Sequence, residues 1–246
     1  MSAQNRTQAG LYYLLPGILL GVVQLVPLLL LWRTIMKSGV DTGMQLSQLL
    51  TYTYVSALLG GLLVIRSSLT NWFYDGVFVS LYQRPMSIYG HVISQTIGEA
   101  LPMIFFFSVP MALLSPLFGV SLVPATLLFI PSLLLCMSLG FAFEFMFASL
   151  FIRMVNTTWL AFTIRNAMMW LFSGVLIPFA VLPWGLGDIF PYLPLGSLGG
   201  APLSLYAGLA DPMKTICVQL FWNALLWPLA IALFKKSQER MVSHGG

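Results

Sequence analysis

Three ionisable side chains lie inside stretches that are otherwise apolar, and their types could support charge-dependent chemistry. Glu99 lies seven residues after Val92 at the start of its apolar run, Glu144 lies nine residues before Arg153, and Arg165 lies about one turn into a third run. At about 1.5 Å per residue, both glutamates sit roughly 10–13 Å inside, so all three could meet in one half of a helical bundle. A charge in lipid costs several kcal/mol unless it is paired or hydrated. These residues therefore indicate either a wet cavity or gate, or an interhelical Glu–Arg bridge that fixes packing.

The motifs of the common catalytic sites are missing from the sequence. No Gly-x-x-x-x-Gly-Lys-Ser/Thr loop is present to cradle nucleotide phosphates, and there is no His-Glu-x-x-His pair. The only histidines are His91 and His244, and Cys136 and Cys217 both lie in apolar runs without metal-ligand spacing. The sequence therefore predicts no catalytic residue, no metal ligand and no cofactor site on this chain.

The composition explains why the elements that carry these residues must lie in a membrane. Of 246 residues, 59% are hydrophobic and only 7% are charged, and the mean hydropathy is +0.90. A soluble domain carries roughly 25% charged residues, and disorder needs low hydrophobicity with high charge. Eighteen charges also exclude a nucleic-acid-binding domain, although the sequence pI is about 9.2. Lipid is therefore the predicted solvent of the chain.

Six apolar runs are long enough to cross a bilayer, which takes about 20 residues as a helix. None shows the alternation with period two that a membrane β-barrel needs. We therefore predict an all-α membrane protein in which residues 1–246 form a single transmembrane domain. The predicted spans are residues 11–32, 46–65, 92–114, 124–152, 161–182 and 215–234.

The distribution of Lys and Arg predicts the orientation. If both termini are cytoplasmic, eight of the eleven basic residues fall on the cytoplasmic side, as the positive-inside rule favours. The predicted location is the cell (inner or plasma) membrane, crossed several times by the chain.

Two connections differ from ordinary loops. Residues 71–83, between spans two and three, mix apolar, aromatic and polar groups, which suits a helix lying at the cytoplasmic interface. The Arg84-Pro85 pair would end that helix, because proline disfavours helical geometry in the residue before it. Residues 174–212, between spans five and six, hold seven of the 21 glycines and six of the 15 prolines yet stay apolar. That composition predicts short broken helices that dip back into the membrane, or a compact outer cap.

These features together resemble the permease subunits of ABC-2 type exporters. The stretch from Asp75 through Gly76 and Leu81 to Arg84-Pro85 is similar to a "Gly, four variable, Leu, then Arg-Pro" element of one branch of that family. The stretch from Ser173 to Pro194 is similar to the family's outer re-entrant region. The six spans, the cytoplasmic amphipathic segment and the re-entrant stretch match the layout of the whole chain.

The resemblance implies a division of labour between chains. ATP and Mg²⁺ would bind to two copies of a separate ABC ATP-binding subunit, and a second permease chain, identical or paralogous, would complete the path. The implied contacts with the ATPase are Trp72, Asp75, Gly76, Leu81, Arg84 and Pro85. Glu99, Glu144 and Arg165 would serve the translocation path or its packing. The outer lid would include Gly174, Pro178, Pro183, Pro191 and Pro194.

A secondary carrier that uses Glu99 or Glu144 as a proton site is the alternative. Such carriers often show inverted repeats, and no clear self-similarity relates residues 11–114 to residues 124–234. The cargo stays open, because lipids, peptides, glycans and drugs are all compatible with this type of fold. The scarcity of charge favours an amphipathic or lipid-like cargo.

Overall fold

Helices make up all the regular secondary structure in the part of the chain that the structure describes. The structure is a computed structural model, and it describes residues 10–40, 42–69, 72, 80–81, 84–153 and 158–245. The elements with defined bounds are α1 (Gly10–Lys37), α2 (Leu46–Leu63), α3 (Ile88–Met103), α4 (Val109–Leu114), α5 (Phe129–Arg153), α6 (Thr158–Phe172), α7 (Leu186–Ile189), α8 (Gly200–Tyr206) and α9 (Pro212–Gly245).

Four of the described helical stretches are long and apolar enough to cross a bilayer. They are Leu46–Leu63, Ile88–Phe118, Phe129–Ile152 and Pro212–Glu239. The chain is therefore a membrane-embedded protein of helices, as the composition predicts. The six-span prediction adds α1 and α6 to these four. Of those two, α6 has 15 residues and rises about 22 Å, which is less than the hydrocarbon thickness of about 30 Å.

The apolar stretch Ile88–Phe118 is a single rod with a widened turn in its middle. A π-helical turn, Ile104–Ser108, joins α3 to α4, and a 3₁₀ turn, Ser115–Phe118, ends the rod. Pro110 lies at the start of α4. In a regular α-helix its ring would clash with the carbonyl oxygen one turn earlier, and its backbone nitrogen has no hydrogen to donate. The wider π turn accommodates that defect. The Ser108 hydroxyl in this turn donates to the Leu58 carbonyl oxygen at 2.6 Å, so the widened turn is anchored to α2.

Contacts along the helices show which of them run in the same direction. The α2 and α3–α4 helices are antiparallel, because contacts to α2 move backwards along it as α3–α4 advances. The α1 helix runs parallel to α3–α4, and α6 runs antiparallel to α5. Between α2 and α3–α4 the contact pairs are Gly61 with Met103, Leu58 with Ser108 and Tyr54 with Met111. Between α1 and α3–α4 they are Gly21 with Phe107 and Arg33 with Phe118. Between α5 and α6 they are Glu144 with Arg165 and Phe151 with Phe162.

The α5 and α9 helices are parallel and carry a row of polar contacts between them. The numbers of the hydrogen-bonded residues differ by 87 to 89 along the whole seam, so the two helices advance in step. The pairs are Ser132 with Gln219, Leu135 with Asn223, Ser138 with Trp227 and Ser149 with Ser237. Because α5 and α9 run in the same direction, the chain between them must return through the bundle, and α6 with the residues after it makes that return.

Residues 174–212, which we call the Gly/Pro segment, lie against the amino-terminal ends of α2, α5 and α9. The segment contains a 3₁₀ turn at Phe179–Val181, then α7, a second 3₁₀ turn at Phe190–Tyr192, and α8. Its Tyr206 carbonyl oxygen accepts from the Ala125 N–H at 2.9 Å, just before α5. The Ala207 carbonyl oxygen accepts from Gln48 near the start of α2 at 3.4 Å. We call this end of the bundle the segment end, and the opposite end, where residues 64–69 and 84–87 lie, the loop end.

One glycine in the Gly/Pro segment gives a sharp test of its packing. A Cβ on Gly196 would overlap the backbone carbonyl oxygen of Phe190, which cannot move as a side chain can. We expect Gly196→Ala to lower the free energy of unfolding by about 1–3 kcal/mol, as overpacking does elsewhere. Gly98→Ala is the matched control, since a Cβ there meets nothing within 4 Å. Equal thermal stability of the two variants in detergent would contradict the packing described here.

Candidate functional site

A buried ion pair joins α5 to α6 near the loop end. Glu144 and Arg165 contact each other directly, and the whole residues are only 7% and 4% exposed. Removal of two charges from water is costly unless further hydrogen bonds satisfy them, and both side chains have such bonds. The Arg165 guanidinium donates to the Ile65 carbonyl oxygen at 2.8 Å, and its carbon lies 5.9 Å from the centre of the Phe147 ring.

The second oxygen of Glu144 holds the chain just after α2. It accepts from the Ser67 N–H at 2.8 Å and from the Ser67 hydroxyl at 2.7 Å. Three parts of the chain therefore meet at this pair: the residues that leave α2, the last third of α5 and the middle of α6. The geometry is that of an interhelical bridge that fixes packing, with both charged groups enclosed by protein.

Glu99 does not join that pair, so the three intramembrane charges do not meet as the sequence allowed. It is half-buried on a different side of α2, and its Oε1 accepts from the Gln95 side chain at 3.1 Å. The reason is geometric. Distance along the sequence fixes the depth of a residue in a helix, whereas the rotation of the helix decides which neighbour the side chain meets.

Glu99 instead lines a cleft of about 470 Å³ between α2, α3 and α6. The α3 wall is formed by side chains three and four residues apart, which share one face of a helix. The α2 wall consists of two glycines and a valine, followed by Arg66, and one tryptophan on α6 forms the third side. The lining residues are Gly60, Gly61, Val64, Arg66, Thr96, Glu99, Ala100, Met103, Trp170 and Val175.

The cleft owes part of its space to the glycine pair on α2. A Cβ on Gly60 would meet nothing within 4 Å, so this position opens directly onto empty space. A Cβ on Gly61 would lie 2.8 Å from the Met103 sulfur, so the methionine side chain already fills that position. Trp170 is 53% exposed, which shows that the α6 side of the cleft is not closed by other parts of the described chain.

The predicted ATPase-docking residues lie only partly within the described ranges. Asp75 and Gly76 lie outside them. Trp72 and Leu81 are buried, whereas Arg84 and Pro85 are exposed at the loop end. Arg84 Nη1 lies 3.4 Å from His91 Nε2, and the Trp72 and His91 rings are 5.6 Å apart. The described part of this connection is therefore attached to the first turn of α3.

The predicted lid residues all lie in the Gly/Pro segment, at the segment end. Gly174 is buried with φ +73°, a left-handed conformation that favours glycine, and its carbonyl oxygen accepts from the Tyr52 hydroxyl at 2.6 Å. Pro178 is buried and precedes the first 3₁₀ turn, Pro183 and Pro191 are exposed, and Pro194 is half-buried. The segment is thus a set of short helices, as predicted, and its re-entry into the membrane stays a prediction.

A second cavity, of about 630 Å³, lies between the Gly/Pro segment and the start of α9. Asp188, Tyr192 and Lys214 line it, with the Lys214 Nζ 5.0 Å from the centre of the Tyr192 ring. Asp211 caps α9 by accepting from the Lys214 N–H at 2.9 Å, as N-terminal carboxylates commonly do. Asp211 and Lys214 are therefore engaged in capping and ring contacts of the segment end.

Sequence reasoning missed two features of the interior. Arg66 counted only as a loop charge, although it lines the cleft with Glu99. The spacing of Thr96, Glu99 and Met103 along one helix face could have indicated the wall that they form. Gln219 and Asn223 were missed as intramembrane amides, although polar residues four apart in an apolar run indicate a helix–helix contact.

Comparison with protein-family models, with curated proteins and with solved structures finds no match for this chain. Within the described ranges, no three His, Cys, Asp or Glu side chains come together in a way that could hold a metal ion. Function must therefore be argued from the cleft, the buried ion pair and the two unusual connections.

Proposed function

We propose that the chain is the membrane-spanning permease subunit of an ATP-driven ABC exporter. The observation that carries the proposal is the cleft between α2, α3 and α6, which holds two opposite charges in an apolar wall and stays open on one side. Such a half-open wall suits a translocation path that a second permease chain, identical or paralogous, completes. ATP and Mg²⁺ then belong to two ATP-binding subunits, and the protein lies in the cell membrane with both termini cytoplasmic.

The helix directions support six crossings. The α1, α3–α4 and α6 helices run one way and α2, α5 and α9 run the other, so successive long helices alternate in direction. The α6 helix reaches across together with the first residues of the Gly/Pro segment. On this topology residues 64–69 and 84–87 face the ATPase subunits at the loop end, and the Gly/Pro segment forms the outer lid.

Purification in mild detergent from the native host tests the proposal directly. A co-purifying ATP-binding subunit, and ATP-dependent transport after reconstitution, are the expected results. Uptake driven by a proton gradient without ATP would contradict the proposal. That outcome would instead favour the secondary carrier, for which the half-buried Glu99 in the cleft is the specific observation.

Substitution at the docking residues gives a second test. We expect Arg84→Ala combined with Asp75→Ala to uncouple ATP hydrolysis from transport, because Arg84 is exposed at the loop end beside the first turn of α3. Arg84→Ala alone should change the free energy of unfolding by less than about 0.5 kcal/mol, as substitutions at other exposed positions do. Lys37→Ala, at an exposed position on the opposite side of the bundle, is the control. Intact coupling in the double variant would remove the docking assignment.

A further inference from the structure

The cleft carries two charges of opposite sign that are not paired with each other. Glu99 and Arg66 both line it, whereas the one ion pair among the described residues joins Glu144 to Arg165. Glu99 accepts a hydrogen bond from Gln95, a neutral partner. Glu99 is half-buried in an apolar span, where a charge that is neither paired nor hydrated is costly, whereas Arg66 is exposed at the loop end. A ligand that brings one positive and one negative group would satisfy both side chains.

Polarity changes along the length of the cleft. Arg66 follows α2 at the loop end. Glu99 lies one helical turn, about 6 Å, nearer the loop end than Met103 on the same face of α3. Val175 lies nearer the segment end than Met103, since its carbonyl oxygen accepts from Ser56, five residues before Gly61 on α2, and the lining residues include no charged group besides Glu99 and Arg66. A molecule that fits this order has a charged head toward the loop end and an apolar chain toward the segment end.

The dimensions also suit an amphiphile of small size. A volume of about 470 Å³ falls within the range of roughly 300–1,000 Å³ that is usual for ligand pockets. Gly60 leaves its part of the wall free of any side chain, so an alkyl chain can approach the α2 backbone. The exposed face of Trp170 supplies an apolar surface on the other side.

We propose that this cleft binds an amphiphile with a zwitterionic head. Its cationic group pairs with Glu99, its anionic group pairs with Arg66, and its alkyl chain runs past Met103 and Trp170 toward Val175. Taking this ligand as the exported cargo rests on the proposed function, whereas the binding itself does not. The charge pair selects the head, and the glycine-lined wall admits the chain.

Photolabelling of the full chain in lipid nanodiscs tests the head preference. Three probes share one diazirine-bearing alkyl chain and differ in the head, which is phosphocholine, trimethylammonium or sulfate. We expect the phosphocholine probe to label peptides that contain Met103 or Trp170 most strongly. Glu99→Gln should shift the preference about tenfold toward sulfate, and Arg66→Gln about tenfold toward trimethylammonium, as the loss of one charge-assisted contact implies.

A pair of glycine variants tests whether the cleft itself is the site. Gly60→Leu fills the cleft, whereas Gly98→Leu adds the same side chain on α3 outside the cleft lining. Neither new Cβ meets an atom within 4 Å, and a thermal melt of each variant shows whether it folds. We expect Gly60→Leu to abolish labelling at Met103 and Trp170, and Gly98→Leu to leave it unchanged.

The outcomes separate this inference from the proposed function. Equal labelling by all three probes, or labelling that none of Glu99→Gln, Arg66→Gln and Gly60→Leu alters, overturns the zwitterion site. Selective labelling of a chain that recruits no ATP-binding subunit keeps the site and contradicts the exporter. ATP-driven export by a complex whose cleft shows no head preference supports the exporter and overturns the zwitterion site.

Discussion

Arg165→Met should lower the free energy of unfolding by about 3–5 kcal/mol, the usual cost of removing one partner of a buried ion pair. The variant leaves the Glu144 carboxylate 7% exposed and without its counter-ion. It also removes the donor to the Ile65 carbonyl oxygen. Reversible unfolding in mixed micelles of mild detergent and dodecyl sulfate measures the change.

Two further variants show whether the charge or the packing is responsible. Arg66→Met is the matched control, because Arg66 is exposed and directly follows Ile65 in the chain. Glu144→Gln combined with Arg165→Met should recover most of the loss, since the amide can still accept from Ser67 and no unpaired charge remains. Equal stability of Arg165→Met and Arg66→Met would contradict the structural role of the pair.

The same pair separates a packing role from a transport role. Because protein encloses both charges and Glu99 lies elsewhere, we expect Glu144→Gln to lower thermal stability and to leave transport per folded molecule unchanged. Glu99→Gln should leave thermal stability unchanged and lower transport per folded molecule. The contrast assigns a packing role to Glu144 and a transport role to Glu99.

Gln219→Leu should be the second most damaging substitution, at about 2–4 kcal/mol. Gln219 is fully buried and makes three hydrogen bonds: it accepts from the Ser132 hydroxyl at 2.8 Å and donates to the carbonyl oxygens of Ser132 and Ser197 at 3.1 and 2.8 Å. Interhelical hydrogen bonds in membranes contribute about 0.6–1.7 kcal/mol each. Leucine fills a similar volume but satisfies none of these groups.

Because Gln219 donates to the Ser197 carbonyl oxygen, Gln219→Leu should also loosen the chain around Ser197, in addition to lowering the overall stability. Gln219 attaches the Gly/Pro segment to the α5–α9 seam, so hydrogen exchange should speed up around residues 197–200 in Gln219→Leu. Cys217→Leu, on the exposed side of the same helix, is the control for added apolar volume. Protection at residues 197–200 that equals that of the control would show that other contacts hold the segment.

Hydropathy predicted the membrane class and the approximate position of the long helices, since both depend on local composition. The α6 helix begins at Thr158 and ends at Phe172, so the predicted span 161–182 runs ten residues past the end of the helix. The run stays apolar through Ile177, so a hydropathy window cannot detect that Ser173 and Gly174 end the helix. The left-handed φ of Gly174 causes that break.

The candidate site could be predicted only in part, for a related reason. Sequence spacing placed Glu99 and Glu144 at similar depths and Arg165 nearer its helix end, all in one half of the bundle, and two of the three meet. Which two meet depends on how α3, α5 and α6 rotate against α2, and that rotation is set by long-range packing. Arg66 joins the cleft because the chain leaves α2 beside Glu99, a proximity that no local pattern encodes.

The short α6 helix has a consequence for the lipid around the protein. Its 15 residues rise about 22 Å, whereas the 34 residues of α9 rise about 51 Å. Trp170 and Leu171, near the end of α6, are more than half exposed. A bilayer thins next to a helix that is too short for it, at a modest cost per ångström of hydrophobic mismatch. We therefore expect the lipid annulus to be thinnest beside α6.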